Sequence, residues 1–394
     1  MYSEEDINSA VAAGALSAEA AAGFRDHMSK VRELPRGSEE NFRLINSFND
    51  IFVSIGVVIL LLAMGAIGQA IGGLAGPAES FWDFMANNPD ATSAEIEAHA
   101  YATNLSEALQ VSLAGLFVAG TGWLLAEFFT RRRRMALPSI ILLLAFVGGV
   151  FATFLGLTFM FLANDGNEQV GAVFVAASAL LTAVGAWFHW RRFMVPITVA
   201  AGTAAVAATV IALIVAAIGP ANFNEDGVLA LVFIAGLAVW AFAMRWDISD
   251  RERITRRSDV AFWLHLLAAP MIAHPIFALL GVVDGDNLGV GAAVGVLAVY
   301  VAFGLVALAI DRRAMLVSAL IYVLFALTFL FREFGAVELN FALTALVIGS
   351  ALLSLSAFWQ PIRRKVVDIL PDNLQAKLPA THEMPLPAAN PAAA

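Results

Sequence analysis

Cysteine is absent from this 394-residue chain, and charged residues make up only 14% of it. The lack of cysteine excludes disulfides, thiolate nucleophiles and cysteine-ligated metal or iron–sulfur sites. In soluble domains roughly a quarter of all residues are charged. This chain is instead 60% hydrophobic, with a mean hydropathy of +0.79. The composition therefore indicates an integral membrane protein whose main solvent is lipid.

Sequence motifs of enzymes are also lacking. The chain has no G-x-S-x-G elbow, no P-loop, no H-E-x-x-H pair and no paired carboxylates within its apolar segments. A haem would need two axial histidines that reach one iron, and only His189, His265 and His274 lie in or beside apolar segments. We therefore expect a protein without enzymatic activity, cofactor or metal, and with no nucleic-acid partner.

Ten long apolar segments dominate the sequence and predict an all-α polytopic membrane protein built of successive hairpins. A span needs about 20 apolar residues, and the runs lack the apolar–polar alternation of barrel strands. The predicted spans are Ile51–Ile71, Ala108–Phe129, Met135–Ala163, Val170–His189, Met194–Ile218, Val228–Arg245, Val260–Gly281, Val290–Ile310, Ala314–Phe331 and Phe341–Trp359.

The distribution of basic residues predicts the orientation of these spans. Lysine and arginine near span ends are retained in the cytoplasm, and alternation of the ten spans places 22 of the 23 basic residues on one side. The exception is Arg332. Both termini are therefore expected in the cytoplasm.

The predicted domain organisation has three parts. Residues 1–48 form a cytoplasmic helical segment, residues 49–360 the transmembrane domain with a long outer loop at 72–107, and residues 361–394 a partly disordered cytoplasmic tail. Residues 1–48 lack the apolar stretch of a secretory signal, so the first span should remain as an anchor. Thr92 and Glu95 form a capping-box pattern that favours a short helix leading into the second span.

Two short helices are predicted in the N-terminal segment, near Ser3–Ala13 and Ala18–Glu33. Gly14 is a helix stop and Ser17 the next N-cap. The narrow apolar face of this segment could rest on the membrane or on a protein partner. At the other end of the chain, one or two helical turns are expected at Val366–Leu370.

The N-terminal pattern of Gly14, Leu16, Ser17 and Glu19 at a helix turn, followed by closely spaced hairpins, resembles uncharacterised multi-pass membrane proteins of bacteria. The resemblance covers the general layout of the chain. It implies a location in the bacterial inner membrane and no particular activity.

The seventh span differs from the others because it holds His265, Pro270, His274 and Pro275. Proline removes a helix hydrogen bond, and a broken polar helix is typical of binding sites in transporters. These four residues are our candidates for a substrate or proton pathway. The alternative is structural, since proline is common in membrane helices and histidine can bond to a neighbouring helix. At about 100° per residue the two histidines point to opposite faces, so they should not share a ligand.

Other polar positions are expected to be structural. Glu127 should pair with Arg131 one turn later, and His189 should lie at the membrane interface. Three outer acidic clusters, at residues 164–168, 224–227 and 284–287, precede helix starts. They favour helix caps over calcium ligands, because their spacing is not that of an EF-hand.

Two functional hypotheses remain open from the sequence. The first is a non-enzymatic membrane protein with a role in envelope maintenance or sensing. The alternative is a secondary transporter of a small molecule, because ten spans divide into five plus five and an odd-numbered half repeats in inverted topology.

Overall fold

A computed structural model describes residues 7, 10–14, 16–24, 48–77, 79–162, 167–251, 253, 255–281, 289–334 and 340–379. This part of the chain is all-α, as predicted. Its helices are α1 (Phe48–Gly73), α2 (Phe81–Asn87), α3 (Ser93–Ala126), α4 (Ala136–Leu162), α5 (Glu168–Phe193), α6 (Ile197–Ile218), α7 (Glu225–Ile248), α8 (Arg256–Leu279), α9 (Val290–Ile310), α10 (Ala314–Glu333), α11 (Asn340–Ala357), α12 (Trp359–Asp368) and α13 (Asp372–Gln375).

Within the described ranges, nine helices are long and apolar enough to cross a membrane, which confirms a polytopic membrane protein. They correspond to the first nine predicted spans. The tenth predicted span is α11, which meets α12 at a bend of 72°. The number of spans is ten if this bent pair counts as one.

Helix α3 begins much earlier than the predicted second span. The expected capping box is present, with Thr92 N–H donating to Glu95 Oε2 at 2.8 Å. Instead of a short separate helix, however, it starts one continuous helix at Ser93, and α2 occupies part of the predicted outer loop. Much of the segment predicted as a long outer loop, 72–107, is therefore helical, because the cap and the helix-forming residues after it extend α3 beyond the apolar segment.

The described parts of the N-terminal segment agree with its predicted turn. Gly14 has a φ of +69°, and Ser17 Oγ accepts the N–H of Ala20 at 3.0 Å. These are the expected helix stop and N-cap, between helical residues 10–12 and 18–24. Residues 1–6 and 25–47 lie outside the described part, as do residues 380–394 of the predicted tail.

Close packing of glycines joins α1, α3 and α4. A Cβ atom at Gly68 would lie 2.6 Å from Leu113 O on α3. Gly115 on α3 and Gly149 on α4 face each other, and a Cβ on either would lie 2.6 Å from the carbonyl oxygen of the other. Small residues allow membrane helices to approach backbone to backbone, which supplies van der Waals packing where lipid offers no hydrophobic drive.

Helix α8 is the central helix in the C-terminal half of the chain, where it packs against α6, α7 and α10. Of the residues in its most apolar stretch, 56% are buried, a larger share than in any of the other eight candidate spans of the described chain. The helix runs without interruption through Pro270 and Pro275. The expected break is therefore not observed. The helix does differ from the other candidate spans in its deeper burial.

The arginine-rich turns meet at one end of the helices, which we call the arginine-rich end. Arg192 at the end of α5 bonds to Glu127 at the end of α3, at 2.6 and 3.0 Å. Arg312 after α9 reaches α7 and α8. The predicted pairing of Glu127 with Arg131 is confirmed at 3.3 Å, and the second partner, Arg192, was not foreseen.

Candidate functional site

Three ionisable side chains form a buried ionic centre at the arginine-rich end: Asp247, His265 and Arg312. Each is at most 2% exposed. Asp247 Oδ2 lies 2.8 Å from His265 Nε2, and Asp247 Oδ1 accepts Arg312 Nη2 at 2.5 Å. The centre thus joins the last turn of α7, the middle of α8 and the residue after the C-cap of α9.

Charge balance explains how the centre tolerates burial. The guanidinium of Arg312 neutralises the carboxylate of Asp247 and also donates to the carbonyl oxygen and hydroxyl of Ser258, at 3.1 and 3.2 Å. A buried ion pair needs such additional hydrogen bonds, because both charges have lost their water. The carboxylate accepts from His265, so Nε2 is the protonated nitrogen of that ring.

The second nitrogen of His265 is chemically distinctive. Nδ1 is buried and has no hydrogen-bond partner among the described residues. A histidine held by a carboxylate at one nitrogen, with the other nitrogen unused, can accept a proton there. In this structure Nδ1 is thus a buried acceptor that no described residue uses.

Asp311, adjacent to Arg312 in sequence, organises a second group of contacts that we call the Asp311 cluster: Arg253, Asp311, Trp359 and Arg363. Asp311 is the C-cap of α9 and has a φ of +55°, a left-handed conformation that aspartate tolerates better than most residues. Its carboxylate accepts Arg253 Nη1 at 2.9 Å and Trp359 Nε1 at 2.7 Å. Arg363 Nε lies 3.7 Å from the same carboxylate.

The C-terminal segment, residues 359–379, is held to the arginine-rich end through this cluster and through Arg251 of the α7–α8 loop, which donates to Leu378 O at 2.8 Å. Within the segment, Arg363 donates to Pro379 O at 2.8 Å. Trp359 is 2% exposed, and the Arg313 guanidinium lies 4.8 Å from its ring centroid. The segment is thus a docked part of the protein, and its helix α12 begins earlier than the predicted turns at Val366–Leu370.

The four residues predicted as a pathway are divided by the structure. His265 belongs to the buried ionic centre. His274 lies further along α8, where its Nδ1 is 2.8 Å from Tyr322 Oη on α10. The two rings therefore bond to different helices, as their spacing requires. Pro270 and Pro275 belong to the uninterrupted part of α8.

His189 was expected at the membrane interface, and the structure shows that its ring is buried between helices instead of exposed there. Its side chain is fully buried among Trp123, Phe146 and Phe193, with ring-centroid distances of 4.5 to 6.0 Å. Nδ1 lies 3.3 Å from Thr198 Oγ1. The reason is that α5 continues to Phe193 and returns through a tight turn, so that α3, α4 and α6 enclose the ring.

Two of the three acidic clusters that were predicted to lie outside contain helix caps, as expected. Asn167 Oδ1 accepts the N–H groups of Gln169 and Val170, and Asn224 Oδ1 accepts that of Gly227. The third cluster, with Asp284 and Asp286, lies outside the described residues. Where the structure describes the chain, no group of three or more His, Asp or Glu side chains is arranged to hold a metal ion.

Sequence reasoning missed Asp247, Asp311 and Arg312. Arg312 was read only as part of a basic turn, which is a general property of cytoplasmic loops. A usable signal was present, because Asp247 and Asp311 are acidic residues at span ends that are otherwise basic. An acidic residue in such a place favours a specific ion pair.

Comparisons with known proteins add no assignment. No protein-family model, curated protein or solved structure matches this chain significantly.

Proposed function

We propose that this chain is a non-enzymatic protein of a bacterial inner membrane with a sensing role, in which the buried ionic centre couples the membrane helices to the C-terminal segment. One observation carries the proposal. The consecutive residues Asp311 and Arg312 bond in two directions, Arg312 to α7 and α8 and Asp311 to Trp359. A change in the packing of these helices would reach the C-terminal segment through a single turn.

Hydrogen exchange of residues 359–379 tests this coupling. Replacing His265 by leucine removes its hydrogen bond to Asp247, a bond to a charged group that is worth roughly 1.5–3 kcal/mol. We expect exchange in 359–379 to become at least about threefold faster in nanodiscs, because the turn that holds the segment loosens.

His189→Leu is the matched control for this measurement. It also removes a fully buried histidine with one side-chain hydrogen bond, but in the first half of the chain. It should leave exchange in 359–379 unchanged. Equal acceleration in both variants would indicate general destabilisation, and no acceleration in His265→Leu would refute the coupling.

The proposal places the arginine-rich end and the C-terminal segment in the cytoplasm. Its support is the bias of 22 of 23 basic residues toward one side. Since the chain has no cysteine, single substitutions at Asp90, Arg132, Glu225 and Ser249, all exposed, can report sidedness. An impermeant maleimide should label Asp90→Cys and Glu225→Cys in intact spheroplasts, and the other two only after lysis. Labelling of Arg132→Cys or Ser249→Cys from outside would reverse the topology.

A secondary transporter is the second candidate, and the His274–Tyr322 hydrogen bond favours it because it joins two titratable groups of membrane-spanning helices. Against a five-plus-five repeat, packing differs between the halves. The second and third spans, α3 and α4, form the most extensive helix pair in the first half, whereas the seventh span, α8, packs mainly on α7 and α10. A transporter should give substrate-evoked proton uptake in proteoliposomes that His274→Gln abolishes. Unchanged uptake in that variant would exclude this pathway.

A further inference from the structure

An apolar groove runs between α6 and α7, with the end of α5 as its third wall. Its volume is about 710 Å³. The walls carry small residues, including Gly202 on α6 and Ala235 and Ala238 on α7. The groove exists because α6 and α7 are consecutive helices that pack only slightly against each other.

The groove lies within the membrane-spanning part of its helices. On α6 it extends from Thr198 to Ile214, which at 1.5 Å per residue is about 24 Å along the helix axis. Its rim includes the large exposed side chains of Val206, Val210 and Ile234. Because the rim is apolar, the groove opens toward lipid, and an extended acyl chain matches both its length and its chemistry.

The arginine-rich end of the groove has a different character. Trp187, Trp190 and Trp246 line it there. Tryptophan is typical of the interface between hydrocarbon and headgroups, so this end lies at the depth of the lipid phosphates.

At this end, two of the three walls, α5 and α7, each carry an exposed arginine next to a groove residue. Arg191 follows Trp187 by one helical turn, and its guanidinium lies 5.1 Å from that ring centroid. Arg245 follows Ala238 by seven residues, which is close to two turns, so both lie on the groove side of α7. Neither arginine forms an ion pair with a described residue, in contrast to Arg192, which Glu127 holds.

We propose that this groove binds one anionic phospholipid, with its phosphate between Arg191 and Arg245 and an acyl chain along α6 and α7. Basic pockets between helices at a membrane surface recognise such headgroups, and the tryptophans supply the apolar-to-polar boundary. The two parts of the lipid are recognised by different residues. Lipid binding at this groove requires only that the helices span the membrane. It does not depend on the proposed coupling between the buried ionic centre and the C-terminal segment.

Native mass spectrometry of the full chain, released from nanodiscs of equal palmitoyl-oleoyl phosphatidylglycerol and phosphatidylcholine, tests the site. The wild type should retain one phosphatidylglycerol in preference to phosphatidylcholine. Arg191→Gln combined with Arg245→Gln should lower this preference at least about tenfold, because each arginine near the surface contributes about fivefold. Arg132→Gln is the matched control, an exposed arginine at the same end, and should retain the preference.

A second variant tests the acyl-chain part separately. Ala238 is an exposed groove residue, so Ala238→Phe fills the groove from its open side. It should reduce the retention of both lipids while the protein keeps its thermal stability. Equal lipid retention by wild type and Ala238→Phe, or an unchanged preference in the double arginine variant, would overturn the proposal. A dimer that Ala238→Phe dissociates would also overturn it, because a second copy would then occupy the groove.

Discussion

Replacing Arg312 by methionine should lower the free energy of unfolding by about 3–5 kcal/mol, the cost of leaving a buried charge without its partner. Asp247 is 1% exposed and accepts two hydrogen bonds from Arg312. Without the guanidinium the carboxylate must remain charged in an apolar surrounding or take up a proton, and both are costly. Reversible unfolding in mixed micelles, followed by steric trapping, measures the loss.

Two controls separate this effect from general damage. Arg132→Met removes an exposed arginine at the same end and should cost less than about 0.5 kcal/mol. Combining Arg312→Met with Asp247→Asn removes both charges and should recover a large part of the loss, because neutral partners of similar shape tolerate burial. A cost below about 1 kcal/mol for Arg312→Met alone would show that the pair is not buried as described.

The second large effect is expected at the contact of α3 with α4. A Cβ at Gly149 would lie 2.6 Å from Gly115 O and 2.7 Å from Ala119 N, both backbone atoms of a rigid helix. Gly149→Ala should therefore separate the helices and destabilise the first half by roughly 1–3 kcal/mol. Thermal unfolding in detergent is the measurement.

The adjacent glycine provides a control with the same chemistry. A Cβ at Gly148 would meet nothing within 4 Å. Gly148→Ala should be neutral or slightly stabilising, since alanine favours the helix by up to about 1 kcal/mol over glycine. Similar losses in both variants would contradict the close helix contact and would attribute the effect to helix propensity.

The sequence predicted well what depends on local composition. Apolar runs located nine of the spans, and Gly14, Ser17 and the Thr92–Glu95 box have the local roles expected from their residue types. The helix stop and the two caps depend on contacts within four residues, and the spans on continuous apolar runs. Helix α3 starts well before the predicted span because an apolar-run criterion detects where hydrocarbon begins and not where the helix begins.

The buried ionic centre could not be predicted in this way. His265 and Asp247 lie 18 residues apart on two helices, and Arg312 is 65 residues from Asp247. Their contact depends on how α7, α8 and α9 pack, and no local pattern specifies that. His189 shows the same limit, since its position near a basic turn did not reveal that Trp123 and Phe146 of neighbouring helices, with Phe193 of its own helix, bury its ring.

A double-mutant cycle between His265 and Trp359 tests the central claim most directly. His265→Leu removes a bond to Asp247 in the membrane helices, and Trp359→Phe removes the bond from the C-terminal segment to Asp311. Independent sites give additive changes in the free energy of unfolding, within about 0.3–0.5 kcal/mol. Coupling through the Asp311–Arg312 turn predicts a double variant that departs from additivity by at least about 0.5–1 kcal/mol. Additive losses would show that the buried ionic centre and the C-terminal segment act independently.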